Sequence, residues 1–267
     1  LVYLQLHKTG CTHITGLLER YVGGHQDYKH SRFEQPKDDR LFLGSVRNPW
    51  AWYVSLWAYG SKGLGNVHNA VTRTRWQHLR RRAQISQGGI KSYYWRLLRA
   101  ARSGSRAAEW QSCYANANDP VLFRKWLALM YSSDGRQDLT EGFPYSPVSR
   151  FAGLLTYRYC DLFFAWEDWR DGRHRVTTLD ELETLDAGSC LLDCIIRTEF
   201  LEEDLLIALD RAGYRLGKEI ETEIRAAAKS NASSHRPYTD YYDEKSVELV
   251  ARNEALIISK HGYEYGG

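Results

Sequence analysis

The chain opens with two hydrophobic patterns that are joined by a short polar turn. Residues 2–6 form a mostly apolar run, which predicts a buried strand. Beyond the turn at residues 7–11, apolar side chains recur with the i, i+3, i+4, i+7 spacing of an amphipathic helix that packs on a sheet. The free N–H groups and the positive dipole end of such a helix favour a phosphate or sulfate, and Lys8 in the turn adds a full positive charge. The apolar side chains of the helix are Ile14, Leu17, Leu18 and Tyr21.

A second strand and helix follow in the same arrangement. Residues 41–46 are mostly apolar and predict another buried strand, and the Asn-Pro pair at 48–49 supplies a good N-cap and first helical position. Arg47 would therefore lie at the carboxyl end of the strand, and Ser55 two turns into the helix. Because ligands of parallel α/β sheets bind at the carboxyl edge, we expect Arg47 and the Lys8 turn to face one crevice.

The apolar runs that follow predict one α/β domain with a central parallel sheet flanked by helices, covering residues 1–267. Residues 162–166 and 191–197 are interpreted as two more buried strands. An acidic loop at residues 178–186 would separate them. The acidic residues just after the last strand suit the first turn of a further helix.

Residues 61–150 are predicted to be a mostly helical insert, with helices at residues 72–101 and 120–131. Between Arg40 and Ala108 the sequence has no Asp or Glu but thirteen Lys or Arg residues. Such a positive field would attract an anionic donor and an anionic acceptor, so acceptor selection is expected in this insert. A solvated basic helix would explain the same charges without a ligand.

The composition is that of a globular protein with reduced thiols. Hydrophobic residues make up 43% and charged residues 26% of the sequence, and its length is enough for one large core. The five cysteines show no zinc-binding spacing with histidine, and we expect reduced thiols in a cytoplasm. No run of 18 apolar residues predicts a transmembrane segment. The first residue is not Met, which leaves a removed leader or membrane anchor open.

Two motifs resemble those of the sulfotransferases that use 3'-phosphoadenylyl sulfate (PAPS). The C-terminal region, with residues 231–238, Tyr241-Tyr242-Asp243 and a closing Gly262-Tyr263, resembles the end of the carbohydrate sulfotransferase branch. The Lys-Thr-Gly-Cys-Thr sequence at 8–12 is similar to the family's loop for the 5'-phosphosulfate. Arg47, Pro49 and Ser55 match its Arg-x-Pro-x5-Ser motif for the 3'-phosphate. The resemblance implies a P-loop-like three-layer fold, PAPS as the donor, 3'-phosphoadenosine 5'-phosphate (PAP) as the product, and no metal.

The same resemblance assigns the donor contacts to the Lys8 turn, to the Arg47 motif and to a polar loop at residues 231–238. The sequence departs from the family at Cys11 and His13, where relatives carry small or hydroxyl residues, and at the Ala-Trp pair 51–52, where many carry Asp-Arg. The implied donor contacts are Lys8, Thr9, Gly10, Cys11, Thr12, His13, Arg47, Ser55, Ser233, Ser234 and Arg236.

The implied reaction moves a sulfuryl group from PAPS to a hydroxyl, or less often an amine, of an acceptor, with a carbohydrate as one candidate. Lys8 would stabilise the charge that grows on the leaving phosphate. The acceptor hydroxyl needs a base, for which His30 is the first candidate by resemblance, His25 the second, and Glu34 a carboxylate alternative. An unperturbed imidazole would titrate at about pH 6 to 7.

Two functions of other classes stay open on the sequence. A P-loop nucleotide kinase shares the strand, loop and helix, but here Lys8 precedes the Gly, and no Gly-Lys-Ser/Thr loop is present to hold magnesium. A non-catalytic polyanion or nucleic-acid binding module would use the basic third of the chain alone, although no specific nucleic acid is predicted.

Overall fold

The computed structural model describes residues 1–73, 106–227 and 235–267. Its centre is a four-stranded, all-parallel sheet with the strand order β2-β1-β3-β4. Consecutive strands run parallel, so their carboxyl ends meet at one edge of the sheet. The strands are β1 (Val2–Gln5), β2 (Gln26–Lys29), β3 (Phe42–Val46) and β4 (Cys194–Arg197).

Helices cover both faces of the sheet, as the predicted α/β class requires. Val2 and Leu4 of β1 belong to the core on one face, whereas Tyr3 belongs to the core on the other. This alternation buries the strand on both sides, which is typical of parallel sheets. The first helices are α1 (Cys11–Tyr21), α2 (Pro49–Gly60) and α3 (Asn66–Val71). The other helices in the described residues are Ala107–Cys113, Pro120–Tyr131, Ser133–Arg136, Leu154–Phe163, Trp166–Arg175, Leu179–Ser189, Leu201–Arg211, Lys218–Ala226, Glu244–Asn253 and Ala255–His261.

The prediction of a strand at residues 162–166 is wrong. The helix Leu154–Phe163 ends there, and Phe164 makes only an isolated antiparallel bridge with Cys190. Nearly every residue of this helix is buried, so its sequence lacks the polar face that distinguishes a helix from a buried strand. The acidic loop is wrong as well, because Leu179–Ser189 is a helix that Thr178 caps by accepting from the N–H of Glu181.

The edge strand β2 was not among the predicted strands. Its residues are mostly exposed, and it pairs only with β1, from Val2 opposite Gln26 to Gln5 opposite Lys29. An exposed edge strand needs no apolar alternation, so its sequence carried no strand pattern. The strand β2 also fixes the positions of the two candidate bases, because His25 precedes it and His30 follows it.

Other predicted elements are confirmed. Helix α2 begins with Pro49, and the side chain of Asn48 accepts from the N–H groups of Trp50 and Ala51. The helix predicted at residues 120–131 is present as Pro120–Tyr131. Most of the helix predicted at residues 72–101 lies outside the described residues. Within the described parts of the chain, every helix is too short or too polar to cross a membrane.

Candidate functional site

The Lys8 loop, residues 7–11, joins the carboxyl end of β1 to the first turn of α1. Lys8 and Gly10 both have positive φ, at 66° and 76°, which folds the backbone tightly over the start of the helix. A Cβ on Gly10 would also lie 3.0 Å from Cδ1 of Leu201, so this position requires glycine. The first turn of α1 has no acidic residue and no side-chain cap. Its positive end therefore stays available to an anion.

Lys8 reaches a cluster of cations at this edge of the sheet. Its Nζ lies 4.1 Å from the centroid of the Tyr59 ring. Burial, followed by the charge of Arg47 and more weakly by that of Lys62, lowers the pKa of Lys8 to about 8. Cations that lower one another's pKa repel one another. An anion bound between them would stabilise the charged form of both.

Arg47 directly follows β3, as expected, and it is largely enclosed. Burial lowers the pKa of Arg47, while Glu199 and Tyr263 act in the opposite direction. The carboxylate of Glu199 is bonded elsewhere, because its Oε1 accepts from the N–H of Asn48 at 2.8 Å. Within the described residues the guanidinium makes no hydrogen bond or ion pair. An enclosed guanidinium that lacks a hydrogen-bonded partner in the described part of the chain is suited to a bound anion.

Ser55 lies on α2 with only 2% of its surface exposed. Its Oγ is buried and has no hydrogen-bond partner among the described residues. Leaving a buried hydroxyl unpaired costs about 1 to 3 kcal/mol, so such a group usually has an explanation. A ligand that enters the crevice and accepts from this hydroxyl would supply one. We call the Lys8 loop, Arg47 and Ser55 together the anion crevice.

The two motifs are joined by direct hydrogen bonds. Oγ1 of Thr9 lies 2.7 Å from Oγ of Ser45 on β3, and it also donates to the carbonyl of Leu6 at 2.6 Å. Trp52 of α2 donates its Nε1–H to the carbonyl of His7 at 2.7 Å. The side chain of Thr9 is therefore occupied, and only its backbone is left for the predicted donor contact. Trp52 is one of the residues at which the sequence departs from the sulfotransferase motif. Its hydrogen bond holds the Lys8 loop against α2.

The other predicted donor contacts on α1 have different surroundings. Cys11 is the first helical residue, and burial raises the pKa of its thiol. Thr12 is exposed at the helix start. His13 is buried, with its Nε2 3.6 Å from Oε1 of Glu202. A role of His13 toward the donor would thus compete with this carboxylate.

The polar loop of the C-terminal region is described only in part. Ser233 and Ser234 lie outside the described residues. Arg236 is exposed. Burial lowers the pKa of the adjacent His235, and Arg47 and Lys8 lower it further. Because the charges of Arg47 and Lys8 act on His235, this end of the loop lies near the anion crevice.

The two candidate bases are at opposite edges of the sheet. His30 follows the carboxyl end of β2, at the same edge as the Lys8 loop, whereas His25 precedes Gln26, which is paired with Val2 at the amino edge. Nε2 of His25 lies 3.4 Å from Oδ2 of Asp27. The structure therefore brings His30, and not His25, to the anion crevice.

The ring of His30 is arranged as a base. Its Nδ1 lies 3.0 Å from the carbonyl oxygen of Gln5. Since a carbonyl only accepts, Nδ1 carries the proton of the neutral ring, and Nε2 is the basic nitrogen. Burial lowers the pKa of His30, and the Gln5 hydrogen bond only partly offsets this effect. The pKa of His30 is therefore lower than the value expected for an unperturbed imidazole.

A cavity of about 440 Å³ lies beside His30, and we call it the histidine pocket. Most of its lining residues carry polar or charged side chains, and both arginines among them are held by carboxylates. Arg158 forms a two-point ion pair with Glu141 at 2.8 Å, and Arg32 donates to both oxygens of Asp161 at 2.8 Å. The lining residues are His7, His30, Ser31, Arg32, Glu34, Asn66, Glu141, Arg158, Asp161 and Leu162.

Backbone strain in the described residues is concentrated at the Lys8 loop and the histidine pocket. Lys8, His30 and Glu141 are the non-glycine residues there with positive φ, at 66°, 56° and 67°. Each such conformation costs on the order of 1 to 3 kcal/mol and is typical of functional sites. Sequence reasoning missed His7, Glu141 and Arg158. The last two belong to segments far along the chain that carry no motif.

The anion crevice and the histidine pocket thus place several cations and a basic imidazole at one edge of a parallel sheet. This is the edge where ligands of α/β sheets bind. No protein-family model matches the chain, and searches of curated proteins and of solved structures found no match either.

Proposed function

We propose that this protein is a PAPS-dependent sulfotransferase with a P-loop-like fold, which transfers a sulfuryl group to a hydroxyl of a carbohydrate acceptor. The observation that carries the proposal is the pair Arg47 and Ser55. Both match the 3'-phosphate motif by spacing, and both have polar groups without partners among the described residues. A phosphate would pair with the guanidinium and accept from the buried hydroxyl.

The Lys8 loop suits the other end of the donor. The first N–H groups of α1 and the ammonium of Lys8 offer a positive site without a competing acidic residue. Hydrogen bonds through Thr9 and Trp52 tie this loop to β3 and α2, so the two phosphate sites would keep a fixed separation. A fixed separation supports one donor with two anionic ends.

The proposed reaction exchanges one sulfur–oxygen bond for another. The acceptor oxygen attacks sulfur while the bond from sulfur to the bridging phosphate oxygen breaks, and the electron pair stays on the 5'-phosphate of PAP. Nε2 of His30 accepts the proton of the hydroxyl, since Nδ1 already donates to Gln5. Lys8 stabilises the charge on the leaving phosphate, which is larger in the transition state than in the donor.

The histidine pocket suits a hydrophilic acceptor. Among the described residues of its lining Leu162 is the apolar one, and the two arginines are paired with Glu141 and Asp161. The hydroxyl of Ser31, the carboxylate of Glu34 and the amide of Asn66 are left to contact an acceptor. A sugar, with a hydroxyl on most of its carbons, would bond these groups, whereas a phenol or a steroid offers few hydroxyls for them.

The substitution Arg47→Ala tests the proposal. It should weaken PAP at least about tenfold, because a charge-assisted contact is worth about 1.5 to 3 kcal/mol. Adenosine 5'-phosphate, which lacks the 3'-phosphate, should be almost unaffected. Isothermal titration calorimetry measures both dissociation constants.

The matched control is Arg20→Ala, which removes an exposed arginine from the end of α1. It should leave both affinities unchanged. Equal weakening of the two nucleotides by Arg47→Ala would contradict the assignment of the 3'-phosphate. Turnover of ATP that depends on magnesium would favour the kinase instead.

A further inference from the structure

His7 and His30 form a stacked pair where the Lys8 loop meets the histidine pocket. Their ring centroids are 3.7 Å apart, and the ring planes are inclined by 14°. His7 belongs to the Lys8 loop, and both rings line the pocket. The pair therefore lies at the junction of the two parts of the site.

His7 is held in place and uncharged. Its carbonyl accepts from Nε1–H of Trp52, and its Nδ1 is buried without a partner in the described part of the chain. Burial, followed by the charges of Arg158, His30 and Lys8, lowers the pKa of His7 to about 2. A ring with this pKa stays neutral near pH 7 and presents a flat aromatic surface to its neighbour.

The ring of His30 is stacked on this aromatic surface. The backbone of His30 is in the left-handed region, and a hydrogen bond from Nδ1–H to the carbonyl of Gln5 fixes one atom of its ring. That bond alone leaves the ring free to tilt, and the stack on His7 removes this freedom. The charged groups that act on His30 are Arg158 and Lys29, which lower its pKa, and Glu141, which raises it.

We propose that His7 is a positioning residue, which fixes the ring plane of His30 by stacking so that Nε2 meets the acceptor hydroxyl in one orientation. The catalytic part of this inference rests on the proposed sulfotransferase function. The packing part does not, since it concerns only the ring of His30. His7 also shields that ring from water, which keeps it in its basic form near neutral pH.

Two substitutions separate the stack from the nitrogen atoms of His7. His7→Phe keeps an aromatic face, whereas His7→Ala removes it. The titration of the His30 ring protons by NMR, with His30→Gln to assign the resonance, reports the environment of the ring in the full chain. In His7→Ala the pKa of His30 should rise toward its ordinary value and its ring-current shift should disappear. In His7→Phe the pKa should stay near that of the unsubstituted protein, and a ring-current shift should persist.

Turnover of PAPS and binding of PAP complete the test. His7→Ala should lower kcat by about tenfold to a hundredfold, the effect of a small misplacement of a reacting group, and His7→Phe should lose much less. Because His7 belongs to the Lys8 loop, the dissociation constant of PAP is measured in both variants, so that a loss of kcat is separated from a loss of donor binding.

An unchanged His30 resonance and titration in His7→Ala would overturn the inference. Equal losses of kcat in the two variants would also overturn it, because they would assign the effect to a nitrogen of His7. If the unsubstituted protein fails to bind PAP, the proposed function falls, while the NMR comparison still decides whether His7 positions His30.

Discussion

At the scale of single residues, the site combines groups that are held in unfavourable states. Lys8 is partly enclosed beside Arg47 and has a strained backbone, and Ser55 has a buried hydroxyl without a partner in the described residues. These unfavourable states are present in the folded protein before any ligand binds. A bound polyanion would pair with both cations and accept from the Ser55 hydroxyl, which supports a donor with two anionic ends as the ligand.

The lowered pKa of Lys8 predicts a pH dependence of PAP binding. With a pKa of about 8 in the free protein, Lys8 is charged at neutral pH and loses its proton as the pH rises through 8. A bound phosphate favours the charged form, so the affinity for PAP should fall roughly tenfold or more from about pH 7.5 to 9.5. Calorimetric titrations across this range measure the effect.

The variant Lys8→Arg is the matched control, because arginine stays charged throughout this pH range. Its affinity for PAP should lose most of the pH dependence. An unchanged pH dependence in Lys8→Arg would assign the titration to another group.

The lowered pKa of His30 predicts where activity is lost on the acid side. Burial lowers the pKa of His30 from its ordinary value, so the free base persists to a lower pH than in a free imidazole. The profile of kcat/KM should therefore decline on the acid side with an apparent pKa below that of an unperturbed imidazole. His30→Ala should lower the rate by about two to four orders of magnitude and leave PAP affinity intact.

His25→Ala is the control, since the same side-chain chemistry lies at the other edge of the sheet. It should keep full activity. If His25→Ala abolishes turnover and His30→Ala does not, the base is His25. If both keep it, Glu34 on the pocket wall becomes the next residue to replace.

At the scale of elements, the site depends on hydrogen bonds that join neighbouring strands and helices. Ser45 on β3 bonds the hydroxyls of Thr9 and Tyr3, whereas Ser55 on α2 bonds none of the described residues. Two buried serines therefore have opposite surroundings. This contrast separates a structural hydroxyl from one that serves a ligand.

Serine-to-alanine substitutions at these positions should have opposite effects. Ser45→Ala should lower the free energy of unfolding by about 1 to 3 kcal/mol, because it leaves buried hydroxyls unpaired. Ser55→Ala should leave that free energy unchanged or raise it, yet weaken PAP. Urea denaturation and PAP titration measure the two effects. A large loss of stability in Ser55→Ala would contradict a ligand role for its hydroxyl.

The sequence predicted these elements where pattern and chemistry agree. β1, α1, β3 and α2 have clear apolar runs, caps and turn residues, so their positions followed from local rules. β2 did not, because an exposed edge strand carries no apolar pattern, and the helix Leu154–Phe163 did not, because burial on all sides hides its period. The contacts of His7 and Glu141 depend on distant segments that meet only in the folded chain.

At the scale of the whole molecule, the crevice is assembled from both ends of the described chain. Asn48 beside Arg47 donates its Nδ2–H to the carbonyl of Glu264 at 3.0 Å, and the hydroxyl of Tyr263 donates to Glu199 at 3.3 Å. The C-terminal segment thus packs around the motif that follows β3. Binding in the crevice should therefore stabilise the fold as a whole, because a ligand that binds only the folded state raises its stability by mass action.

Thermal unfolding in the presence of PAP tests the central claim most directly. PAP should raise the melting temperature in a concentration-dependent manner, without magnesium, and well above the effect of ADP or ATP at equal concentration. ADP and ATP carry their phosphates only on the 5' side, so they leave Arg47 and Ser55 without partners. A melting temperature that does not respond to PAP, or that rises equally with ADP and ATP, would contradict the account.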